Sequence, residues 1–555
     1  MFKHRSAHEG GHELACSVLK LVSLTRVMFS TMETNSKTEF LDTIDGQSMT
    51  LCRPAQKYHG QRHLLWLTIF LTFLIIQLTA QRAFPATYNA VSAALTDVQN
   101  AINLASDGDT VVVPAGSATW ASQITVTPAI TLKGAGINST VITSTLGGAL
   151  YINSDNKGES RVTGFTFNGG GAETFGPVTL TGNEVRCDNC LFTNCALFSL
   201  QSYNAFGVID HCLFEESDGG VYVQDPGLGG NSYGDGSWTN ADNWGTTNFM
   251  VMENDSFYGI GQVGCVDGCA GARWVFRYNY VTNDILVAHG TDSTGRARGT
   301  RAVEVYGNTF TCPGGFAEAF ELRSGTAVLF SNNCTGYNGN IVTLKNFRSP
   351  SCGVPGTYPP WGTCTGTDPY DGDTDANGYP AVDQCGRGVG DLMADTTPGS
   401  GIPIDTVTGK EAWPNEVSDP VYEWANSNNG SPAQIGNCSA LFVSGRDFFD
   451  GIVKPGYTPL VYPHPLDTSA TNSSSPSFTL TVINGTGSGN YSSNAVVSIF
   501  ANAANTVSNG TFAFWNGSDV ANTNLATTSV AMPASNLTVT ANYVPYPPAN
   551  LNVIK

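Results

Sequence analysis

The sequence predicts an all-β solenoid of stacked parallel coils, and repeated columns of residues between 185 and 345 predict it. Six segments repeat one alternation of apolar and polar residues, at spacings such as 22 residues (Phe192 to Phe214) and 24 residues (Phe257 to Val281). One apolar column reads Phe192, Phe214, Phe257, Val281, Phe310, Cys334, and a second reads Cys187, Ile209, Met252, Phe276, Val305, Leu329. A third column, at the bend, reads Cys190, Cys212, Asp255, Asn279, Asn308, Asn332. Because one such coil cannot bury its apolar side alone, neighbouring coils are expected to stack into one core.

The second half of each repeat is a short strand that is followed by a polar residue. Side chains alternate between the two faces of a strand, so these polar residues are expected to point outward where their apolar neighbours point inward. Coils stack about 4.8 Å apart, which would line up one polar column. The column reads Gln201, Gln224, Asp267, His289, Arg323, Lys345. Four of the six can do acid–base or electrostatic chemistry in a chain with only 13% charged residues. The alternative is that these positions are polar only because they meet water.

Composition favours an extracellular β protein over a helical cytosolic enzyme. The chain has 555 residues, 62 of them glycine, and a net charge of −19. It contains no basic run that could follow a phosphate backbone, which argues against nucleic acid as a partner. The oligomeric state is left open.

Residues 1–80 are predicted to be a leader that contains a signal peptide. An apolar run at 64–79 follows Arg53, Lys57 and Arg62 and ends near a cleavage site at Ala80. A signal anchor is the alternative, and Met49 is an alternative start that would remove residues 1–48. The chain is therefore expected to be secreted or held at the cell surface, with membrane contact only through this signal.

Twelve of the 14 cysteines lie after the leader, because Cys16 and Cys52 fall within it. An even number in an exported chain suggests disulfides. The expected pairs are Cys190 with Cys212, Cys265 with Cys269, and Cys352 with Cys364. Stacked thiols are the alternative.

Residues 96–99 (Thr-Asp-Val-Gln) read as a capping box that opens a short helix with Val98, Ile102 and Ala105 on one side. A helix before the first coil is expected to cover the open end of the core.

The motifs that follow resemble those of a known family. The helix, Gly-Asp-Thr-Val-Val-Val-Pro-Ala-Gly at 108–116, Ile-Thr-Leu-Lys-Gly-Ala-Gly at 130–136 and the Asn-bearing coils resemble the pectate-lyase-like right-handed parallel β-helix proteins. The resemblance covers about 85–465 and implies a β-helix domain at 81–466 with a loop-rich insertion at 346–439. The closing segment at 455–465 is similar to that of poorly characterised exported β-helix proteins. Because this superfamily includes lyases, hydrolases, adhesins and phage-type spikes, it implies the fold and not the reaction.

Two loops carry candidate substrate-binding residues. Trp238 and Trp244 lie in the loop at 225–248, where they would either stack on sugar rings or pack on the solenoid wall. Arg296, Arg298 and Arg301 lie in the loop at 290–301, where they would hold carboxylate or sulfate groups or form a solvated loop.

The insertion contains a stretch that is similar to a calcium-binding loop. It runs from Asp371 to Gly378, but Ala376 stands where glycine is expected and Val382 stands where glutamate is expected. Calcium is the only cofactor that the sequence suggests.

The chain ends in a second, smaller β domain. A Ser/Thr/Asn-rich linker at 467–477 precedes four alternating strands within 478–545, and a tail follows at 546–555. The strand pattern and the Phe-Trp-Asn-Gly turn at 514–517 are similar to the divergent bacterial surface repeat of the internalin B-repeat kind.

The leading functional hypothesis is a polysaccharide-acting protein, most similar to a uronate lyase. The resemblance implies Arg323 or Lys345 as the base, His289 as a proton carrier, and Asp267 with Glu321 as calcium ligands. A hydrolase using Asp267 and Glu321 is the nearest alternative in chemistry. An adhesin or glycan-binding surface protein without catalysis is the alternative from another class.

Overall fold

The computed structural model describes residues 85–545 apart from 154–156, 172–174, 229–232, 260–262, 293–294, 353–357, 365–380, 395–402, 408, 410–413, 469–476, 493–495, 503–509 and 534. The predicted leader, the calcium-type stretch and the tail therefore lie outside the described residues. No helix within the described ranges is long and apolar enough to cross a membrane.

The described residues form two helices and 38 strands. The helices are α1 (Leu95–Ile102) and α2 (Asp235–Trp238). The strands of the first coils are β1 (Thr87–Asn89), β2 (Thr110–Val112), β3 (Gly116–Trp120), β4 (Ile124–Val126), β5 (Thr131–Lys133), β6 (Thr140–Ser144), β7 (Leu150–Asn153), β8 (Ser160–Thr163), β9 (Thr166–Asn168), β10 (Val178–Asp188), β11 (Leu191–Thr193), β12 (Leu200–Asp210) and β13 (Leu213–Glu215). The later coils contain β14 (Gly219–Gln224), β15 (Met250–Glu253), β16 (Ser256–Tyr258), β17 (Gly264–Cys269), β18 (Arg273–Arg277), β19 (Tyr280–Thr282), β20 (Leu286–Ala288), β21 (Ala302–Tyr306), β22 (Thr309–Thr311), β23 (Phe320–Leu322), β24 (Thr326–Phe330), β25 (Asn333–Thr335), β26 (Val342–Leu344), β27 (Val421–Trp424), β28 (Ser427–Asn428), β29 (Ser431–Pro432), β30 (Ile435–Asn437) and β31 (Phe448–Asp450). The C-terminal strands are β32 (Ser477–Ile483), β33 (Gly485–Thr486), β34 (Gly489–Ser492), β35 (Val496–Ala501), β36 (Gly510–Asn516), β37 (Thr527–Ala531) and β38 (Leu537–Pro545).

The predicted parallel β-helix is confirmed by the way strands from successive coils pair. Ladder A stacks β4, β7, the start of β10 and β12, β14, β17, β20, β23, β26 and β30. Ladder B stacks β1, β2, β5, β8, the end of β10 and β12, β15, β18, β21, β24, β27 and β31. Ladder C stacks β3, β6, β9, β11, β13, β16, β19, β22, β25 and β28, with β29 returning antiparallel at its end. All other pairings within the three ladders are parallel.

The two predicted apolar columns form the core of the solenoid. Phe192 pairs in register with Phe214, and Phe214 pairs with Phe257. Their ring centroids are 5.1 and 4.5 Å apart and the rings are stacked. The ring of Phe214 is thus shielded by an equivalent ring above and below, which is how a repeat unit too small for its own core becomes stable.

The second half of the predicted column at the bend, Asn279, Asn308 and Asn332, is a buried asparagine ladder. The backbone N–H of Asn279 donates to Oδ1 of Asn308 (2.8 Å), and that of Asn308 donates to Oδ1 of Asn332 (3.1 Å). The Asn308 amide also donates to the carbonyl of Phe276 at 2.9 Å. The bend breaks the strand hydrogen bonds, so these side chains satisfy backbone groups that would otherwise be buried without partners.

Helix α1 is present, but it does not begin with the predicted capping box. Its N-cap residue is Ala94, with no side-chain cap, while Asp97 accepts a hydrogen bond from Ser92 Oγ at 2.5 Å. Val98 and Ile102 are buried, as the spacing predicts. The role of this helix as a cap on the core stays a prediction.

The predicted cysteine pairs are wrong. Cys352 forms its disulfide with Cys438, 86 residues away, and not with Cys364. The other four predicted partners are buried thiols: Cys190, Cys212, Cys265 and Cys269. The first two occupy the bend column, where they fill space in the core instead of cross-linking the coils.

The outer face of ladder B is covered by the closing segment at 455–465 and the two residues that follow it. Arg277 pairs with Glu253 at 2.5 Å and donates to the carbonyl of Leu460, while Arg186 contacts both Asp210 and Asp467 at 2.7 Å. These charges are buried, so their pairing is required for the segment to lie there.

The C-terminal strands form two small sheets, β34–β32–β38–β36 and β33–β35–β37. Their pairings are antiparallel except that of β32 with β38. Leu480, Ile499, Trp515 and Val539 are buried between them.

Asn308→Ala is expected to lower the free energy of unfolding of the solenoid by about 2–3 kcal/mol, because it leaves the Asn279 N–H and the Phe276 carbonyl buried without partners. Urea unfolding followed by far-ultraviolet circular dichroism measures this. The matched control is Asn333→Ala, in which an exposed asparagine of ladder C is lost; a loss as large as that of Asn308→Ala would contradict the role of the ladder.

Candidate functional site

Ladder A carries the predicted polar residues on its outer face, but in two columns and not one. Asp267 lies opposite Tyr222 on one side and Val287 on the other, and Val287 lies opposite Glu321. Gln201 also belongs to this column, because it pairs with Tyr222.

The second column begins two residues later along each strand. Gln224 pairs with Cys269. The backbone N–H groups of His289, Arg323 and Lys345 continue the parallel hydrogen bonding of the coils below them. The prediction of a single column was therefore wrong: Gln201 and Asp267 lie two residues earlier along their strands than the column that contains Gln224 and His289. A shift of two residues leaves every side chain on its original face, so alternation in the sequence does not detect it.

Asp267 and His289 nevertheless meet across the two columns. Oδ1 of Asp267 lies 2.8 Å from Nδ1 of His289. Asp267 is 3% exposed, whereas the His289 side chain is 20% exposed. Burial raises the pKa of Asp267 to about 8, against the opposing charge of Arg323. The Asp267 carboxyl therefore titrates well above its ordinary range, and the imidazole in contact with it reaches the surface; we call these two side chains the dyad.

Arg323 and Lys345 are joined through one carboxylate, that of Glu321. Nε of Arg323 lies 3.2 Å from Oε1 of Glu321, and Nζ of Lys345 lies 2.7 Å from Oε2. Arg323 also donates to Asp292 at 2.7 Å, and Lys345 donates to Glu318 at 2.5 Å.

The environments of the two cations differ. Burial lowers the pKa of Arg323 to about 10, despite the attraction of Asp267. Burial also acts to lower the pKa of Lys345, but its hydrogen bonds to Glu318 and Glu321 outweigh this and raise it. Lys345 is thus held as a cation, which does not suit it to the predicted role of base.

The predicted glutamines form one hydrogen-bonded cluster with two residues that the sequence analysis missed. Gln201 Nε2 donates to Gln224 Oε1 at 3.2 Å, and Gln224 Nε2 donates to the Tyr222 hydroxyl at 3.0 Å. The Tyr222 hydroxyl lies 3.0 Å from the Cys269 sulfur. Tyr222 and Cys269 occupy outward positions of β14 and β17, so correct alignment of the columns would have found them.

An open groove of about 450 Å³ adjoins this cluster at the earlier coils of ladder A. Its lining residues are Gln123, Gly147, Gly148, Tyr151, Phe175, Thr179, Gln201 and Tyr203. Gln201 is common to the groove and to the cluster, so the two are adjacent on ladder A.

The three loop arginines do not face a ligand. Arg298 is fully buried and contacts Asp383 (2.6 Å) and Glu416 (2.5 Å) of the insertion, as well as Asp235 (3.1 Å). Arg296 pairs with Asp235 at 2.8 Å. Arg301 pairs with Asp242 and lies near Asp419, at 3.8 Å. The prediction that they bind substrate is wrong because buried carboxylates up to 118 residues away engage them.

The two loop tryptophans are packed within the protein. Trp238 is fully buried, donates to the carbonyl of Gly299 at 3.0 Å and lies under Arg298 and Arg301. Trp244 is half-buried over ladder B, where its ring lies 6.2 Å from Phe249 and 5.2 Å from Lys454 Nζ. Of the two alternatives, the structure supports packing on the solenoid wall.

Asp267 and Glu321 do not fit a single calcium ion. They stand two coils apart, roughly 10 Å by strand spacing. Calcium takes ligand oxygens at about 2.3–2.6 Å, so one ion would not bridge both. Among the described residues, one group of three ligating side chains is close enough to share an ion: Asp210, His211 and Asp467. Arg186 already pairs with both aspartates of that group.

Comparison with known proteins gives a family match for the C-terminal part. Residues 468–547 match the model of the divergent InlB B-repeat domain. The match begins within the predicted linker and covers the two small sheets. No curated protein matches the sequence.

Solved structures that are similar to parts of this chain include the following three. An alginate lyase from Paenibacillus sp. str. FPU-7 shares 16% identity over 46% of this chain and 97% of its own, with a TM-score of 0.33. ORF18 of Geobacillus virus E2 shares 18% identity over 44% and 55%, with a TM-score of 0.29. A family 28 exopolygalacturonase from Yersinia enterocolitica shares 11% identity over 64% and 67%, with a TM-score of 0.35. At these values, none of the three identifies a substrate or a reaction for this chain.

Arg298→Ala is expected to lower the free energy of unfolding by about 3–5 kcal/mol, because Asp383 and Glu416 would stay buried without their cation. Thermal and urea unfolding measure the loss. The control is Lys157→Ala, which removes an exposed cation and is expected to change stability by less than about 0.5 kcal/mol. A stable Arg298→Ala protein with weakened glycan binding would restore the substrate-binding role.

Proposed function

We propose that this protein acts on a polysaccharide at the outer face of ladder A, with Asp267 and His289 as its acid–base pair. The observation that carries the proposal is a buried carboxyl with a pKa of about 8 in contact with a partly exposed imidazole, beside the buried Arg323. A carboxyl with a strongly raised pKa, in contact with a partly exposed histidine, is typical of catalytic sites. The proposed reaction is β-elimination at a uronate.

The dyad supplies the base through the second ring nitrogen of His289. When Asp267 is ionised, a proton on Nδ1 of His289 would face its Oδ1 at 2.8 Å, and Nε2 would be left as the proton acceptor. When the pair holds one more proton, Nε2 carries a hydrogen and the dyad is an acid. Asp267 thus sets both the tautomer and the pH at which the base exists.

In the proposed reaction, Nε2 of His289 removes the proton at C5 of the uronate. The electron pair forms the C4–C5 double bond as the C4–O bond breaks, the leaving oxygen takes up a proton from solvent, and His289 later releases the C5 proton to solvent. Negative charge develops on the uronate carboxylate during this step. Arg323, whose charge already acts on Asp267, is the cation proposed to stabilise it. Lys345 keeps Glu321 in place as a positioning residue.

A hydrolase is the second candidate, since Asp267 and Glu321 are two carboxyls of one column whose pKa values are both raised by burial. Their roughly 10 Å separation is just above the range of about 6.5–9.5 Å for an inverting pair. In that mechanism protonated Asp267 would donate to the leaving oxygen.

Export to the cell surface or medium belongs to the same proposal. It is supported by the signal-peptide pattern at 64–79 and by the InlB-type repeat at 468–547. A non-catalytic adhesin would share both features.

One assay separates the three possibilities. The purified protein is incubated with a panel of uronate polymers and neutral glycans, with and without a calcium chelator. Ultraviolet absorbance follows the new double bond, and new reducing ends are counted in parallel. Both signals together indicate elimination; reducing ends alone indicate hydrolysis; neither signal, with glycan binding retained, indicates an adhesin. Loss of activity with chelator would show a metal requirement.

His289→Ala is expected to abolish product formation, since the proton acceptor is lost. The matched control is His211→Ala, because His211 also contacts an aspartate (Asp210, 2.8 Å) but lies on ladder B. The assignment of the dyad fails if His289→Ala keeps its activity, and it also fails if His211→Ala loses activity to the same extent as His289→Ala.

The pH profile gives an independent test of the reaction. Burial raises the pKa of Asp267 to about 8, so an eliminase that needs ionised Asp267 beside its histidine base should gain activity as pH rises and level off above about pH 8. A hydrolase that needs protonated Asp267 should lose activity over the same interval. Asp267→Asn should move the midpoint of the profile to lower pH and reduce kcat.

A further inference from the structure

The groove at the earlier coils of ladder A differs in character from the dyad that it adjoins. Its described lining consists of amides, hydroxyls, aromatic rings and glycine, with no charged side chain among them. Gln123 is held there by a hydrogen bond from Nε2 to the carbonyl of Gly148 at 2.8 Å. Thr179 approaches Gln201 with 3.5 Å between Oγ1 and Oε1.

Glycine keeps the floor of this groove open. Gly148 has φ of +66°, and a Cβ atom there would stand 3.3 Å from Thr179 Oγ1 and 3.4 Å from Gln123 Nε2. A side chain at this position would be strained and would fill the space between the two polar groups.

An exposed aromatic ring forms one wall. Phe175 is 41% exposed, and its ring is stacked on that of Tyr222 with centroids 5.7 Å apart. Tyr222 in turn is stacked on Phe198 at 4.3 Å, and Phe198 is buried. The solvent-side ring is therefore backed by two others, which gives a rigid apolar platform of the kind that sugar rings pack against.

The platform and the dyad are neighbours along the solenoid axis. Tyr222 lies opposite Asp267 in the pairing of β14 with β17, and Gln201 lies opposite Tyr222. Gln201, which lines the groove, is thus about two strand spacings, roughly 10 Å, from Asp267. A ligand that extends from the dyad along ladder A toward the earlier coils therefore crosses the groove.

We propose that this groove is a binding subsite for an uncharged sugar residue, with Phe175 as its stacking platform. The inference rests on the proposed function and narrows its substrate class. Phe175, Gln123 and Gln201 offer stacking and hydrogen bonds but no charge to neutralise a carboxylate. The substrate is then a heteropolysaccharide in which the uronate at the dyad is flanked by uncharged sugars, and not a polymer of uronates alone.

The test compares binding of neutral and acidic oligosaccharides by calorimetry. The probes are hexasaccharides of glucose, xylose and N-acetylglucosamine, together with hexagalacturonate. At least one neutral hexasaccharide is expected to bind, and Phe175→Ala should weaken it by about five- to tenfold, the loss that one aromatic contact accounts for. Because Phe175 is exposed, the variant should fold.

Tyr280→Ala is the matched control, since Tyr280 is an exposed aromatic residue (38%) on ladder C; it should leave binding unchanged. Failure of every neutral hexasaccharide to bind, or unchanged binding in Phe175→Ala, overturns the inference. If a neutral hexasaccharide binds in a way that depends on Phe175 but no polymer is cleaved, the subsite is supported and the proposed function is contradicted. If the protein cleaves a pure polyuronate and Phe175→Ala does so with the same KM as the unaltered protein, the proposed function is supported and the subsite is contradicted.

Discussion

Parallel stacking of coils is the constraint on which the rest of this structure depends. Strands of successive coils stack in three ladders, with β10 and β12 running through both ladder A and ladder B. Among the described strands of the solenoid, the pairing inside a single coil is that of β28 with β29. Backbone hydrogen bonding, stacking of phenylalanine rings and the buried asparagine ladder all act between coils. The same stacking brings Asp267, His289 and Arg323 to one face, although 56 residues separate the first from the last. The scaffold thus supplies a functional surface without any compact sequence motif.

Charge is used in two different ways on this scaffold. Arg298, Arg186 and Arg277 are buried under loops or the closing segment, where each has a carboxylate at hydrogen-bonding distance. On ladder A, the charge of Arg323 does not offset the burial of Asp267, and the pKa of Asp267 is raised to about 8. Buried ion pairs fix the position of a loop, whereas a carboxyl that titrates near neutrality can exchange protons.

The insertion at 346–439 illustrates how loops are attached to a solenoid. Asp383 and Glu416 from the insertion meet Arg298 from a coil loop, and the Cys352–Cys438 disulfide links the two ends of the insertion. An acidic chain with few cations therefore uses its arginines to hold these loops. This is why three arginines close together in sequence did not form the anion site that their spacing suggested.

The sequence by itself determined the fold class, the members of the core columns and the face on which the polar residues lie, because period-two alternation and coil spacing are local properties. The Phe192–Phe214–Phe257 stack and the Asn279–Asn308–Asn332 ladder were both predicted from it. The tertiary structure alone decided the register of Gln201 and Asp267, since a two-residue shift preserves alternation. It also decided the disulfide partner of Cys352 and the partners of Arg298, which lie 63 to 118 residues away in the chain. The pKa of Asp267 belongs with these, because burial is a property of the packed molecule and not of the residue.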